Sequence, residues 1–156
     1  MMKFSTGKCI NCKIHTENLE HLLYSCSHVK HIWHFTCKIL KAIWPNISIG
    51  NIEAISGLWN SGVSNEILIV NTILSIARFH IWKMRNRIKF GKEEITPIKS
   101  LFILKWELLQ HLQLLKLSKK CNPELKLLFE GLIEKINTTP LQDNGQINRK
   151  RKVNDI

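Results

Sequence analysis

The feature that most constrains this chain is a cluster of cysteines and histidines near its N-terminus. Residues 9–26, CINCKIHTENLEHLLYSC, hold three of the five cysteines and two of the seven histidines. Cys9 and Cys12 form a C-x2-C pair, a spacing that suits a tight turn aiming two sulfurs at one point. With His21 and Cys26 they supply three thiolates and one imidazole, a closed tetrahedral set that suits structural zinc. The cluster therefore predicts a structural zinc site that leaves no position open for hydrolytic chemistry.

The fourth ligand is less constrained than the three cysteines. Thr16, Glu17 and Glu20 look like the first turn of a short helix, with Thr16 as its cap, and such a helix would carry His21. This favours His21 over three other histidines in the vicinity: His15, His28 and His31. The alternative to a metal site is a chance cluster of small buried thiols and one surface histidine.

The charge balance points to a polyanionic partner. Lys and Arg number 23 against 12 Asp and Glu, for a net charge of +11. Such an excess favours nucleic acid or an acidic membrane surface. Residues 67–82 are the most membrane-like stretch, but polar side chains interrupt them, and a bilayer needs about 20 mostly apolar residues. We therefore expect a buried helix of a soluble protein and no membrane as partner. We also expect no small-molecule substrate.

The cysteine count bears on the cellular compartment. The N-terminal MMKFSTGKC has no apolar core of the kind found in secretory signals. In a reducing compartment an odd number of cysteines is better explained by thiols or metal ligands than by disulfides. We expect an intracellular protein, in the nucleus or the cytoplasm.

Several of these residues together resemble a known family. The C-x2-C pair, Glu17-x3-His21-Leu22-Leu23, Cys26 and Trp33 resemble the zinc-binding region at the C-terminal end of LINE-type (non-LTR) retrotransposon reverse transcriptases. Residues 73–87, ILSIARFHIWKMRNR, resemble the helix that follows this region in vertebrate elements. The likeness covers about residues 9–115, although Asn18 and Leu23 depart from the usual pattern.

The resemblance implies both ligands and partners. It implies Zn²⁺ held by Cys9, Cys12, His21 and Cys26, and a tryptophan at position 33 that packs. It also implies RNA or DNA as a partner, together with the polymerase core of a retrotransposon protein. No aspartate precedes Asp143, so the paired aspartates of a two-metal polymerase site are absent. We therefore expect an accessory region that is not an enzyme by itself. The alternatives are a structural or protein-interaction module, or a truncated retroelement remnant without activity.

The rest of the chain predicts an all-α fold. Helical spacing follows Ser27, a plausible cap, and ends at Pro45. Helical spacing also occurs over residues 66–90, in a segment that begins at Thr96-Pro97, and in another that begins at Asn122-Pro123. We divide the chain into a zinc knuckle with its following helix (1–44), a continuous helical domain (45–137) and a disordered basic tail (138–156). Residues 46–64 could form a short hairpin or a loop with a helical turn.

A basic segment with interleaved aromatics is the candidate nucleic-acid contact. Basic groups contact phosphates, and aromatic rings can stack on unpaired bases. The alternative is a solvated helix end whose aromatics pack inward. The candidate contact residues are Arg78, Trp82, Lys83, Arg85, Arg87 and Lys89.

Overall fold

The chain folds as a set of helices with no β-strand in the part that the structure covers. The structure is a computed structural model that describes residues 7–60, 64–91, 93–119 and 121–141. A π-helical segment, His21–Ser25, precedes five α-helices: α1 (Lys30–Lys41), α2 (Asn51–Ser56), α3 (Asn65–Gly91), α4 (Pro97–Lys116) and α5 (Pro123–Thr138). The predicted helical fold is confirmed for these ranges. Most of the predicted tail, residues 142–156, lies outside the described residues.

Two of the predicted helix starts are confirmed by their capping bonds. The Thr96 hydroxyl accepts from the Lys99 amide at 3.2 Å, with Pro97 at the first position of α4. Asn122 Oδ1 accepts from the Leu125 amide at 2.8 Å at the start of α5. Each bond satisfies one of the amides that a helix N-terminus leaves without a partner.

The predicted cap of α1 is wrong. Ser27 lies in a turn, and its hydroxyl is 3.3 Å from His28 Nδ1. Helix α1 begins at Lys30, and Val29 before it makes no side-chain cap. The Val29 amide instead donates to the Cys26 carbonyl at 3.0 Å, so a backbone turn leads from the cysteine cluster into α1.

Helix α3 is the centre of the core. Its apolar face is fully buried, with Ile73, Leu74, Ala77 and Ile81 at most 1% exposed. Helices α1, α2 and α4 pack around it, and α5 packs on α4. Each fully buried Leu or Ile contributes about 1.5–3 kcal/mol relative to an exposed one, so these contacts stabilise the helical body without a metal.

The connector before α3 contains a helix rather than a hairpin. Gly50 donates to Glu53 at the start of α2, and Gly57 ends the helix at a φ of +74°, a left-handed conformation that favours glycine. The Arg78 guanidinium of α3 donates to the carbonyls of Ile55 and Ser56, both at 2.8 Å. Arg78 thereby satisfies carbonyls that the C-terminus of α2 leaves open.

By length and composition alone, α3 is long and apolar enough to cross a bilayer, as the core helix of a soluble protein can also be. Half of its most apolar window is buried against the rest of the protein. Its polar side chains have partners within the protein: Asn71 bonds the backbone of Trp59 and Asn60, and Ser75 bonds the Gly57 carbonyl.

Candidate metal centre

The four predicted ligands converge on one point. The donor atoms of Cys9, Cys12, His21 and Cys26 all lie within 4.8 Å of one another. Cys9 Sγ is 3.9 Å from Cys26 Sγ, and Cys12 Sγ is 3.3 Å from His21 Nε2. With typical zinc bond lengths, tetrahedral geometry separates two sulfurs by about 3.8 Å, and a sulfur from a nitrogen by about 3.6 Å. The donor set and its spacing therefore fit one tetrahedral metal ion.

No disulfide joins these cysteines. A disulfide needs sulfurs about 2.05 Å apart, and Cys9 and Cys26 are separated by almost twice that distance. All five cysteines are free thiols. Cys37 and Cys121 take no part in the cluster, so the three clustered sulfurs remain available as ligands.

Backbone amides of the C-x2-C turn point at its sulfurs. Cys9 Sγ accepts from the amides of Asn11 and Cys12, and Cys12 Sγ accepts from those of Ile14 and His15. Hydrogen bonds of this kind favour the thiolate form. Lys13 follows the second cysteine with a φ of +59°, and its amide closes the turn by donating to the Cys9 carbonyl at 2.8 Å.

The cysteine pKa values differ because their surroundings differ. Burial raises the pKa of Cys26 to about 12, although the His28 amide opposes this. Burial also acts to raise the pKa of Cys12, but hydrogen bonds from two amides and from His21 lower it to about 6. A bound metal ion would displace the remaining thiol protons, so metal binding would release protons and strengthen as pH rises.

A π-helical segment presents His21 and Cys26 on the same side. The Cys26 amide donates to the His21 carbonyl at 2.9 Å, a five-residue spacing typical of a π-bulge. Asn18 Oδ1 accepts from the His21 amide at 2.7 Å and so caps this segment. The expected cap, Thr16, instead forms an isolated bridge with Lys8. The predicted α-helical start at Thr16 is therefore wrong, whereas the predicted approach of His21 to the cysteines is confirmed.

Ser25 is a candidate support for the His21 ligand that was not predicted from the sequence. His21 directs Nε2 at Cys12, and its other ring nitrogen, Nδ1, lies 3.4 Å from Ser25 Oγ. Partners of this kind fix the tautomer and orientation of a ligating histidine. The four-residue spacing between His21 and Ser25 is the sequence signal that could have predicted this contact.

Two long-range contacts attach the loop to the helices. The Trp33 indole donates to the Leu23 carbonyl at 2.6 Å, inside the core. Arg85 of α3 forms a two-pronged ion pair with Glu17, and both side chains are at most 7% exposed. Burial acts to raise the pKa of Glu17, but the Arg85 guanidinium outweighs it and holds that pKa below its usual range.

The structure gives several of the predicted nucleic-acid residues protein partners. Arg85 is buried against Glu17, which corrects the expectation that it contacts a phosphate. Arg78 caps α2, and Lys83 pairs with Glu107 while lying 5.0 Å from the centre of the Phe79 ring. Arg87 is exposed and Lys89 is half-buried.

Trp82 does not pack into the core. It is half-buried and stacks on Phe79, with ring centres 5.5 Å apart and 54% of Phe79 exposed. The six candidate contact residues therefore do not form one continuous cationic surface.

A second polar cluster joins α3 to α4. His80 Nδ1 donates to Glu107 at 3.0 Å, and its Nε2 lies 3.0 Å from Ser100 Oγ. Such an order of hydroxyl, imidazole and carboxylate also occurs in hydrolases. Ser100 is only 5% exposed, however, and borders a cavity of about 40 Å³, little more than one water. This cluster links the two helices, and no such role for His80 followed from the sequence.

The chain was compared with protein-family models, curated proteins and solved structures. No protein-family model, no curated protein and no solved structure matches the chain.

Proposed function

We propose that the chain is a zinc-binding, nucleic-acid-binding accessory region, non-catalytic by itself, of the kind that the LINE reverse transcriptases carry. The observation that carries the proposal is the convergence of Cys9, Cys12, His21 and Cys26 within 4.8 Å. Three thiolates and one imidazole select zinc over harder cations such as magnesium and calcium, which prefer oxygen ligands. Because all four positions belong to the protein, the ion has a structural role.

The net charge of +11 supports the nucleic-acid part of the proposal. Zinc bound by three thiolates carries about −1, so the loaded protein remains strongly basic. The expected partners are RNA or DNA, and the expected setting is intracellular, since the thiolate ligands need a reducing environment.

A second candidate function is docking on another protein, such as the polymerase core that the resemblance implies. A groove of about 670 Å³ runs between α3 and α4, bordered by Leu68, Ile76 and Phe79. Elsewhere on α4, Phe102, Trp106 and Leu114 are each more than half exposed. Large exposed apolar side chains are the kind of surface from which interaction sites are built when they join into one patch.

Binding of the zinc-loaded protein to RNA and DNA, single-stranded and duplex, tests the first function. We expect one zinc per chain and binding that weakens as salt rises, because phosphate contacts release counterions. A chelator should remove the zinc and weaken the binding of RNA and DNA. If the protein binds neither RNA nor DNA at low salt, the nucleic-acid function is rejected. The protein-docking function would then be tested by a pull-down with a polymerase core.

A further inference from the structure

Helix α1 presents a row of three lysines and one histidine to solvent. Lys30, His34, Lys38 and Lys41 are exposed, whereas Ile32, Trp33, Phe35, Ile39 and Leu40 are buried on the other side. At 3.6 residues per turn the four positions fall within an arc of about 80° and extend over about 16 Å. We call these four residues the α1 cationic row.

No acidic group neutralises the α1 cationic row from within its helix. The sequence of α1, KHIWHFTCKILK, contains no Asp or Glu. No hydrogen bond or ion pair within the described residues engages these four side chains. On α3, in contrast, Arg78, Lys83 and Arg85 are occupied by carbonyls or carboxylates. The larger set of available cations is therefore on α1.

We propose that the α1 cationic row binds the phosphate backbone of a double-stranded nucleic acid without contacting its bases. Binding to single strands depends on aromatic rings on which bases stack, and both aromatic residues of α1, Trp33 and Phe35, are buried. Among the described residues, the exposed Phe and Trp rings lie on α3 and α4 instead. Apart from the His34 imidazole, the row offers only lysine amines. Such a row suits a regular duplex backbone, and contacts of this kind position a protein without reading sequence.

The metal centre fixes the start of this row. Cys26 belongs to the candidate metal cluster, and its carbonyl accepts from the Val29 amide one residue before α1 begins. The Trp33 indole ties the first turn of α1 to Leu23 in the π-helical segment. Loss of the metal should therefore disturb the end of the row that carries Lys30.

The inference rests on the proposed function, and a charge-matched pair of triple variants separates the two. The test variant replaces Lys30, Lys38 and Lys41 with glutamine. The control replaces three exposed lysines of α4 and α5, Lys99, Lys126 and Lys135, so that it loses the same charge elsewhere. Binding of each zinc-loaded protein is measured against salt on a duplex DNA, a duplex RNA and a single strand of mixed sequence.

For duplex DNA the slope of log K against log salt changes by about 0.9 per phosphate contact. We expect the test variant to flatten the slope by up to about 2.7 and the control to leave it nearly unchanged. Comparison of the two duplexes shows which backbone is preferred.

Equal slopes for the test variant and the control would overturn the inference while leaving the proposed function standing. Binding confined to the single strand would also overturn it. A wild-type protein that binds none of the three probes would reject both. Zinc content and circular dichroism, unchanged in both variants, verify that only the surface was altered.

Discussion

The metal loop and the helical body are stabilised by different chemistry. In residues 7–29 the buried side chains are mostly polar or metal-binding, and the larger apolar ones are Leu22, Leu23 and Val29. The body buries Ile, Leu and Val along α3, α4 and α5. A bound ion and a few bonds would therefore hold the loop, whereas many small apolar contributions hold the body. The two regions should respond differently to the same perturbation.

Removing a ligand should have the largest effect. Zinc binding to small structural sites is worth about 10–16 kcal/mol at neutral pH. Cys12→Ser should therefore lose the metal and unfold the loop and the first turn of α1, while α3–α5 keep their protection. Hydrogen exchange followed by mass spectrometry reports both regions at once. Cys121→Ser is the matched control, and a Cys12→Ser variant that keeps full zinc and protection would show that the loop does not need its ion.

Breaking the ion pair between the two regions should have the next largest effect. Arg85→Met leaves the buried Glu17 carboxylate without its partner, a change that costs about 3–5 kcal/mol in buried pairs. Urea unfolding of the zinc-loaded protein measures the loss. Glu130→Gln, which breaks the exposed Lys116–Glu130 pair, should cost less than about 1 kcal/mol. Equal losses of stability in the two variants would contradict the role of the Glu17–Arg85 pair in attaching the loop to the helices.

The same pair predicts a dependence on pH. The pKa of Glu17 is lowered in the folded state. The stability that the Glu17 carboxylate contributes is therefore fully present above its unfolded pKa of about 4.3. The contribution is lost as pH falls through the lower folded value. The stability difference between wild type and Glu17→Gln should therefore shrink below about pH 4. A difference that stays constant down to pH 2 would place the stabilisation elsewhere.

Ser25→Ala tests the support of the ligating histidine. Loss of a hydrogen-bond partner behind a metal ligand typically lowers metal affinity 10- to 100-fold. Competition with a zinc chelator of known affinity should detect such a change. Ser27→Ala offers a close control, because that hydroxyl meets His28 and not His21. Identical zinc affinities in the two variants would remove Ser25 from the centre.

The smallest expected effect is a gain in stability. Lys13 adopts a left-handed φ of +59°, which costs an ordinary residue roughly 1–2 kcal/mol, and glycine avoids that cost but loses more chain entropy. Lys13→Gly should therefore stabilise the loop by about 0.5–1 kcal/mol, measured by thermal unfolding. Lys13→Ala removes the same charge but keeps the strained backbone, so it should give no gain.

The sequence predicted what depends on local spacing. The C-x2-C pair, the caps at Thr96 and Asn122, and the helical spacing that ends at Pro45 are set by neighbours within a few residues. Glu17 and Arg85 are 68 residues apart, and His80 meets Ser100 and Glu107 only once α3 and α4 pack. A basic side chain looks alike in sequence whether it faces phosphate or a buried carboxylate. Only the fold therefore separated Arg85 from the cations of α1.

Zinc K-edge X-ray absorption of the loaded protein tests the metal centre most directly. We expect one zinc per chain, bound by three sulfurs at about 2.3 Å and one nitrogen at about 2.0–2.1 Å. A shell of oxygen and nitrogen alone, or a protein that retains no zinc, would contradict it.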